Sequence, residues 1–221
     1  MKICLYIALL LSICSIASAD AGLELRLRRS VEELSRHESR LTGSAGNHAA
    51  ADWIQSELRG LGVGQVYEHE LPALIPLGEG FVLEAEDESL LLFGMWPNLI
   101  RTSTLLAEGI EGELVYGGDG SLLEGRQIEG RMPLSEVTAR NIVAVIEGSD
   151  SELKNEAIYI SAYYEAISPV PALAPGAEQA SSAAALLEIA RQLKENDHRR
   201  TVVLLWTAGH FQNLTGMRHL T

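Results

Sequence analysis

The stretch Thr201–Gly216, TVVLLWTAGHFQNLTG, decides how the rest of the chain is read. Val202 to Trp206 form an unbroken apolar run of strand length between two threonines. A half-buried strand alternates apolar and polar residues, whereas an unbroken run belongs to a strand covered on both faces. Ala208-Gly209-His210 then places a titratable ring where the chain leaves that strand. In an open α/β sheet, ligands gather beyond the carboxyl ends of the strands, so a site is expected here.

Working outward, Pro175–Asn196 reads as a loop running into a helix. Its apolar stripe is Ala183, Leu186, Leu187, Ala190 and Leu193, at helical spacing. Asn141–Ile146 and Ala157–Ala162 read as further strands. Strand, crossover helix and strand predict an α/β core, with a mixed, mainly parallel sheet flanked by helices. The strand before the crossover ends in Ala162-Tyr163-Tyr164-Glu165, and Gly176-Ala177-Glu178-Gln179 opens the helix on the same side. Tyr163, Glu165, Glu178 and His210 are therefore expected to converge on one rim.

Upstream, Ser30-Val31-Glu32-Glu33 has the form of a capping box that starts a short helix reaching about Glu38. Ser39–Gly46 (SRLTGSAG) is a turn-rich loop. Asn47 is read as the cap of a second helix, with Ala51, Ile54, Leu58 and Leu61 on one face and Gly60 and Gly62 at its end. Residues 63–135 change character. Short apolar runs separated by Gly, Pro and acids predict a β-rich insert with many turns. Gly117-Gly118-Asp119-Gly120 is a tight turn without the lysine or the strand–loop–helix setting of a phosphate loop.

The chain has 221 residues, 47% of them hydrophobic, enough for a substantial core. Lys2, the apolar run Ile3–Ile13 and the small residues Ala17-Ser18-Ala19 read as a secretory signal peptide cleaved near Ala19. An exported location, periplasmic, extracellular or lumenal, follows. Both cysteines, Cys4 and Cys14, lie in that segment, so the remainder has no disulfide. The formal net charge is −13, and removal of Lys2 makes it one unit more negative. That argues against nucleic acid as a partner. The expected organisation is a signal peptide (1–19), an N-terminal helical part (20–62), a β-rich insert (63–135) and an incomplete α/β core (136–221).

Three blocks together resemble the M28 family of zinc peptidases: Ser39–Gly46 with its helix, Ala139–Gly148 (ARNIVAVIEG), and Ile158–Gly216. Gly112–Met132 resembles an abbreviated protease-associated insert. The resemblance implies a zinc-exopeptidase-like α/β fold. In that family two zinc ions are held at the rim, and a glutamate takes a proton from the metal-bound water. It also places a further aspartate and histidine beyond Thr221, so the core is expected to be the N-terminal part of a longer protein.

The metal positions depart from the family pattern. Its first strand ends His-x-Asp, and here those places hold Tyr163 and Glu165. A neutral imidazole is a good zinc ligand, and a phenol with a pKa of about 10 is a poor one. The bridging aspartate is replaced by Glu178, one methylene longer, and two metals about 3.5–4 Å apart tolerate such lengthening poorly. The Glu-Glu pair that should follow the second strand is Gly209-His210, and glycine has no side chain with which to accept a proton. Glu178 and His210 are the remaining metal-ligand candidates. Each also has an ordinary reading, Glu178 as a carboxylate favoured at a helix N-terminus and His210 as a hydrogen-bonded loop residue.

The expected function is therefore a non-catalytic, peptidase-like domain. It would bind a peptide or a partner protein at a rim lined by Tyr163, Tyr164, Glu165, Gln179, Phe211 and Gln212. The family also suggests a membrane-protein context supplied by sequence further downstream. No cofactor is expected on this reading. The alternative is an active zinc-dependent aminopeptidase, with zinc as cofactor and a substitute base.

Overall fold

The computed structural model describes residues 21–85, 88–95, 112–113, 127–131 and 134–220. The signal-peptide segment and the Gly117–Gly120 turn lie outside the described residues.

The first described element is a helix over residues 21–34, α1. The capping-box expectation fails here, because Ser30 lies inside this helix and is buried. Leu, Arg and Glu dominate the preceding residues and favour a helix as strongly as the box favours a start. Leu34 is fully buried in the main core, and Arg26 pairs with Glu188 at 2.9 Å. The second helix, α2 (Ala45–Gly60), carries its apolar face as expected, with Ala51, Ile54 and Leu58 fully buried. Its cap is Ser44 and not Asn47: the Asn47 backbone N–H donates to the Ser44 hydroxyl at 3.1 Å. The Asn47 side chain turns back to accept from Gly43 N–H at 3.1 Å, so both residues serve the same turn. The helix stops where Gly62 adopts φ +75° and relieves the strain of the left-handed turn.

Two four-stranded sheets follow. The main sheet has the order β1-β6-β8-β7, from β1 (Gln65–Pro76), β6 (Leu134–Ile146), β8 (Thr201–Thr207) and β7 (Ala157–Tyr163). The second has the order β3-β2-β5-β4, from β2 (Glu79–Ala85), β3 (Glu88–Leu91), β4 (Gly112–Glu113) and β5 (Gln127–Arg131), all antiparallel. The sequence groups Gln65–Leu71 with the insert, but β1 pairs antiparallel with β6 along its whole length, from Gln65↔Val145 to Pro76↔Leu134. The reason shows in its second half. Leu71, Ala73 and Ile75 face the core while Pro72 and Leu74 face outward, the alternation of an edge strand that tolerates proline.

The sheet is mixed, and its parallel share is smaller than expected: β7·β8 is parallel, and β6·β8 and β1·β6 are antiparallel. The fully apolar β8 sits inside the sheet, between β6 and β7. Val202, Leu204 and Trp206 enter the main core with Ile142, Ala144 and the helices. Val203 and Leu205, on the other face, are also buried. The crossover helix α3 (Ala177–Glu195) buries Ala183, Leu186, Leu187 and Ala190 and packs Leu193 against the same core. Trp206 Nε1–H donates to the Ala183 carbonyl at 3.1 Å, fixing α3 over β8. The exposed edge is β7, where Ile158 and Tyr159 are 46% and 68% exposed. A smaller cluster of Leu41, Ile75 and Ile167, joined by Phe81 and Phe211, connects the second sheet to the rim.

Candidate functional site

β7 and β8 are parallel neighbours, so their carboxyl ends, Tyr163 and Thr207, emerge side by side. Side chains alternate along an extended chain, so Tyr163 and Tyr164 part company at once. Tyr163 is half-buried and stacks on the His210 ring, with centroids 4.3 Å apart and planes 23° from parallel. Phe211 meets both rings edge-on, at 5.4 Å from Tyr163 and 5.0 Å from His210. These three rings form the aromatic part of the rim.

Tyr164 does not reach the rim. It is fully buried, and its hydroxyl donates to the Arg140 carbonyl at 2.6 Å. Burial pushes its phenol pKa well above the ordinary value.

Glu165 is also fully buried, beneath the turn that follows β8. The Thr42 hydroxyl and the Gly209 backbone N–H both donate to its Oε2. The Phe211 N–H donates to its Oε1 at 3.0 Å. Burial pushes the Glu165 carboxyl above the usual carboxylate range, against the pull of these donors. Gln212 completes the group, with its side-chain oxygen 2.9 Å from Thr42 Oγ1.

Glu178 and Gln179 serve the start of α3. Glu178 is exposed in the first turn, where a carboxylate complements the helix N-terminus. Gln179 spans the facing loop: its Oε1 accepts from Ile167 N–H at 2.8 Å and its Nε2 donates to the Ile167 carbonyl at 3.2 Å. The rim therefore brings together Tyr163, His210, Phe211, Gln212 and, below them, Glu165. Tyr164 lies in the core, and Gln179 is engaged with loop backbone.

Glycine suits position 209 for a conformational reason. Its φ is +71°, in the left-handed region, and a Cβ built there would lie 3.0 Å from the Thr215 Cβ and 3.2 Å from the Gly216 nitrogen. A side chain at this position is strained and crowded together.

Three residues that hold the site escape a reading of the sequence. Arg40 is fully buried and donates to four carbonyls: Tyr164 and Pro175 at 2.6 Å, Gly176 at 2.8 Å, and Leu34. Burial pulls its pKa down to about 10, with the nearby Glu165 charge opposing the fall. Thr42 supplies the hydroxyl on Glu165. Asn141, at the start of the buried half of β6, accepts from Ala208 N–H at 3.0 Å and donates to the Gly216 carbonyl at 2.9 Å. It closes the turn Ala208–Gly216 from below.

The residues present do not fit a pair of zinc ions. Both Glu165 oxygens are engaged by donors. The His210 ring is packed face-on against Tyr163. Among the described residues no three His, Cys, Asp or Glu side chains gather into a group able to hold a metal.

Residues 141–221 match peptidase family M28. The match begins at Asn141 and takes in β6 from that residue, β7, α3, β8 and the whole of the turn just described. This part of the chain is M28-like, and the fold agrees. An aminopeptidase from Aneurinibacillus sp. strain AM-1 superposes with a TM-score of 0.59 at 12% identity, over 88% of this chain and 65% of that one. A zinc aminopeptidase from Bacillus subtilis gives 0.59 at 18% identity, over 88% and 63%. A peptidase M28 precursor from Shewanella amazonensis gives 0.56 at 14% identity, over 90% and 69%. The chain thus spans just under two thirds of the length of the first two relatives. No curated protein matches it by sequence. Among the described residues, no helix is long and apolar enough to cross a membrane.

Proposed function

We propose that this chain is an exported, M28-like domain that binds a peptide or a partner protein at its rim without cleaving it. The observation that carries this reading is Gly209. The family's general base position holds a residue with no side chain, in a left-handed backbone conformation and a close packing that disfavour one. The groups around it support the same reading, because the Glu165 carboxyl at the rim is buried and engaged within the protein.

What remains partly accessible is the stacked Tyr163–His210 pair with Phe211 edge-on to it, beside the Gln212 carboxamide, a surface suited to contact with an apolar side chain and a backbone amide. Export rests on the leader-like first nineteen residues. A membrane-protein context would come from sequence further downstream.

The test is a pair of measurements on the purified protein. Hydrolysis of leucine 4-nitroanilide, with and without added ZnCl2, is expected to stay at the level of the uncatalysed reaction. A library of short peptides screened for binding is expected to yield ligands whose affinity falls in Tyr163→Ala and Phe211→Ala. Zinc-dependent turnover would favour the alternative, an active aminopeptidase.

A further inference from the structure

We infer that the turn Gly209–Gln212 is a carboxyl-binding nest filled by Glu165, and that the rim is assembled around this internal carboxyl group and not around a metal ion. This goes beyond the reading of the rim as a binding surface and holds whether or not a peptide binds there.

The polarity of the site carries the inference. The Gly209 and Phe211 N–H groups and the Thr42 hydroxyl all point their hydrogens at the two Glu165 oxygens. With Gly209 in the left-handed region, its amide and that of Phe211 converge on one carboxyl, as in the backbone turns that bind anions. The buried Arg40 guanidinium lies close enough to Glu165 for its charge to be felt. A cation in this position would face the N–H and O–H hydrogens of Gly209, Phe211 and Thr42. A carboxyl group satisfies every one of those donors.

The same geometry makes Glu165 a positioning residue for the aromatic rings. It stands two residues after Tyr163, so it is fixed to the end of β7. Its oxygens hold Gly209 and Phe211, the residues on either side of His210. The Tyr163–His210 stack therefore has one ring on each side of the carboxyl bridge. Thr42 ties the loop before α2 into the same point. One carboxyl group joins three segments distant in sequence, a task that bound metal ions perform in many sites.

The test uses the full chain with Glu165→Ala and Glu165→Gln, reading amide hydrogen exchange at Gly209 and Phe211, thermal stability, and response to sodium propionate, sodium chloride or ZnCl2. Propionate carries the carboxyl group and the carbon chain that the alanine variant lacks. Exchange at the two amides is expected to rise about tenfold or more in Glu165→Ala. Propionate is expected to restore most of that protection, and chloride at equal ionic strength none of it. Glu165→Gln should be intermediate, because its oxygen still accepts one N–H while its amide NH2 faces another donor. ZnCl2 should change neither the variants nor the wild type.

A folded Glu165→Ala protein that gains nothing from propionate would overturn the inference. So would a wild-type chain that takes up zinc stoichiometrically and melts higher with it, with the gain abolished in His210→Ala. If the alanine variant does not fold, wild-type-like exchange in Glu165→Gln would equally overturn it.

Discussion

At the level of single residues, Gly209 and Arg40 explain most about the rim. Restoring a glutamate by Gly209→Glu is expected to give no hydrolysis. It should destabilise the fold by about 1–3 kcal/mol, because the left-handed backbone and the Thr215 contact both resist a side chain. Urea unfolding and the nitroanilide assay check both halves of that expectation. Arg40→Met should be more costly, about 3–5 kcal/mol, since it leaves the buried Tyr164 and Leu34 carbonyls and the partly buried Pro175 and Gly176 carbonyls without their donor, and Glu165 without its neighbouring charge. Gly209 and His210 were legible because the strand before them is unmistakable and position alone brought them to a rim. Arg40 was not, because arginines in polar, turn-rich segments are almost always solvated, and nothing local announces that four carbonyls converge on this one. Tyr164 shows the complementary limit. A pair of tyrosines after a strand looks like rim, yet alternation sends the second ring into the core.

At the level of elements, the strong apolar patterns were read correctly, and so were the starts of β7 and β8, whereas the starts of the two N-terminal helices were not. The bounds of β8 and the buried stripe of α3 follow from unbroken or periodic apolar residues. A cap, in contrast, is a competition between nearby polar groups. Ser44 and Asn47 both bond within one turn, and Ser30 lost its capping role to the helix that runs through it. The pairing of β1 with β6 could not be read because it joins residues about seventy positions apart, and no local pattern encodes a partner. Two substitutions test the assigned burial. Leu204→Ala in β8 is expected to cost about 2–5 kcal/mol, whereas Tyr159→Lys on the exposed edge of β7 should change stability by less than about 0.5 kcal/mol. The turn Leu153–Asn155 gives a pH test. Asp150 accepts from the Leu153 and Glu152 amides and pairs with Arg199 at 2.7 Å, and these contacts hold its carboxyl below the ordinary value of 3.8. A lowered folded pKa means the contribution is complete above that ordinary value and is lost as pH falls through the folded one. The melting temperature of Asp150→Asn should therefore vary less than the wild type's at acid pH below 3.8.

At the level of the whole molecule, the mixed sheet, its helices and the 141–221 match place the chain among M28-like folds. The fold positions a site at the ends of β7 and β8 in the usual way for an α/β sheet. What stands there is a buried carboxyl surrounded by donors, an aromatic stack and a glycine whose left-handed backbone and close packing resist a side chain. On the proposed reading the protein should melt at the same temperature with and without a chelator, because a metal-free fold has nothing for the chelator to remove. The most direct test of the account is the zinc content of the purified protein, measured together with its aminopeptidase activity. The prediction is no zinc retained after dialysis against ZnCl2-containing and then metal-free buffer, and no cleavage above background. Two zinc ions per chain with chelator-sensitive hydrolysis would contradict it.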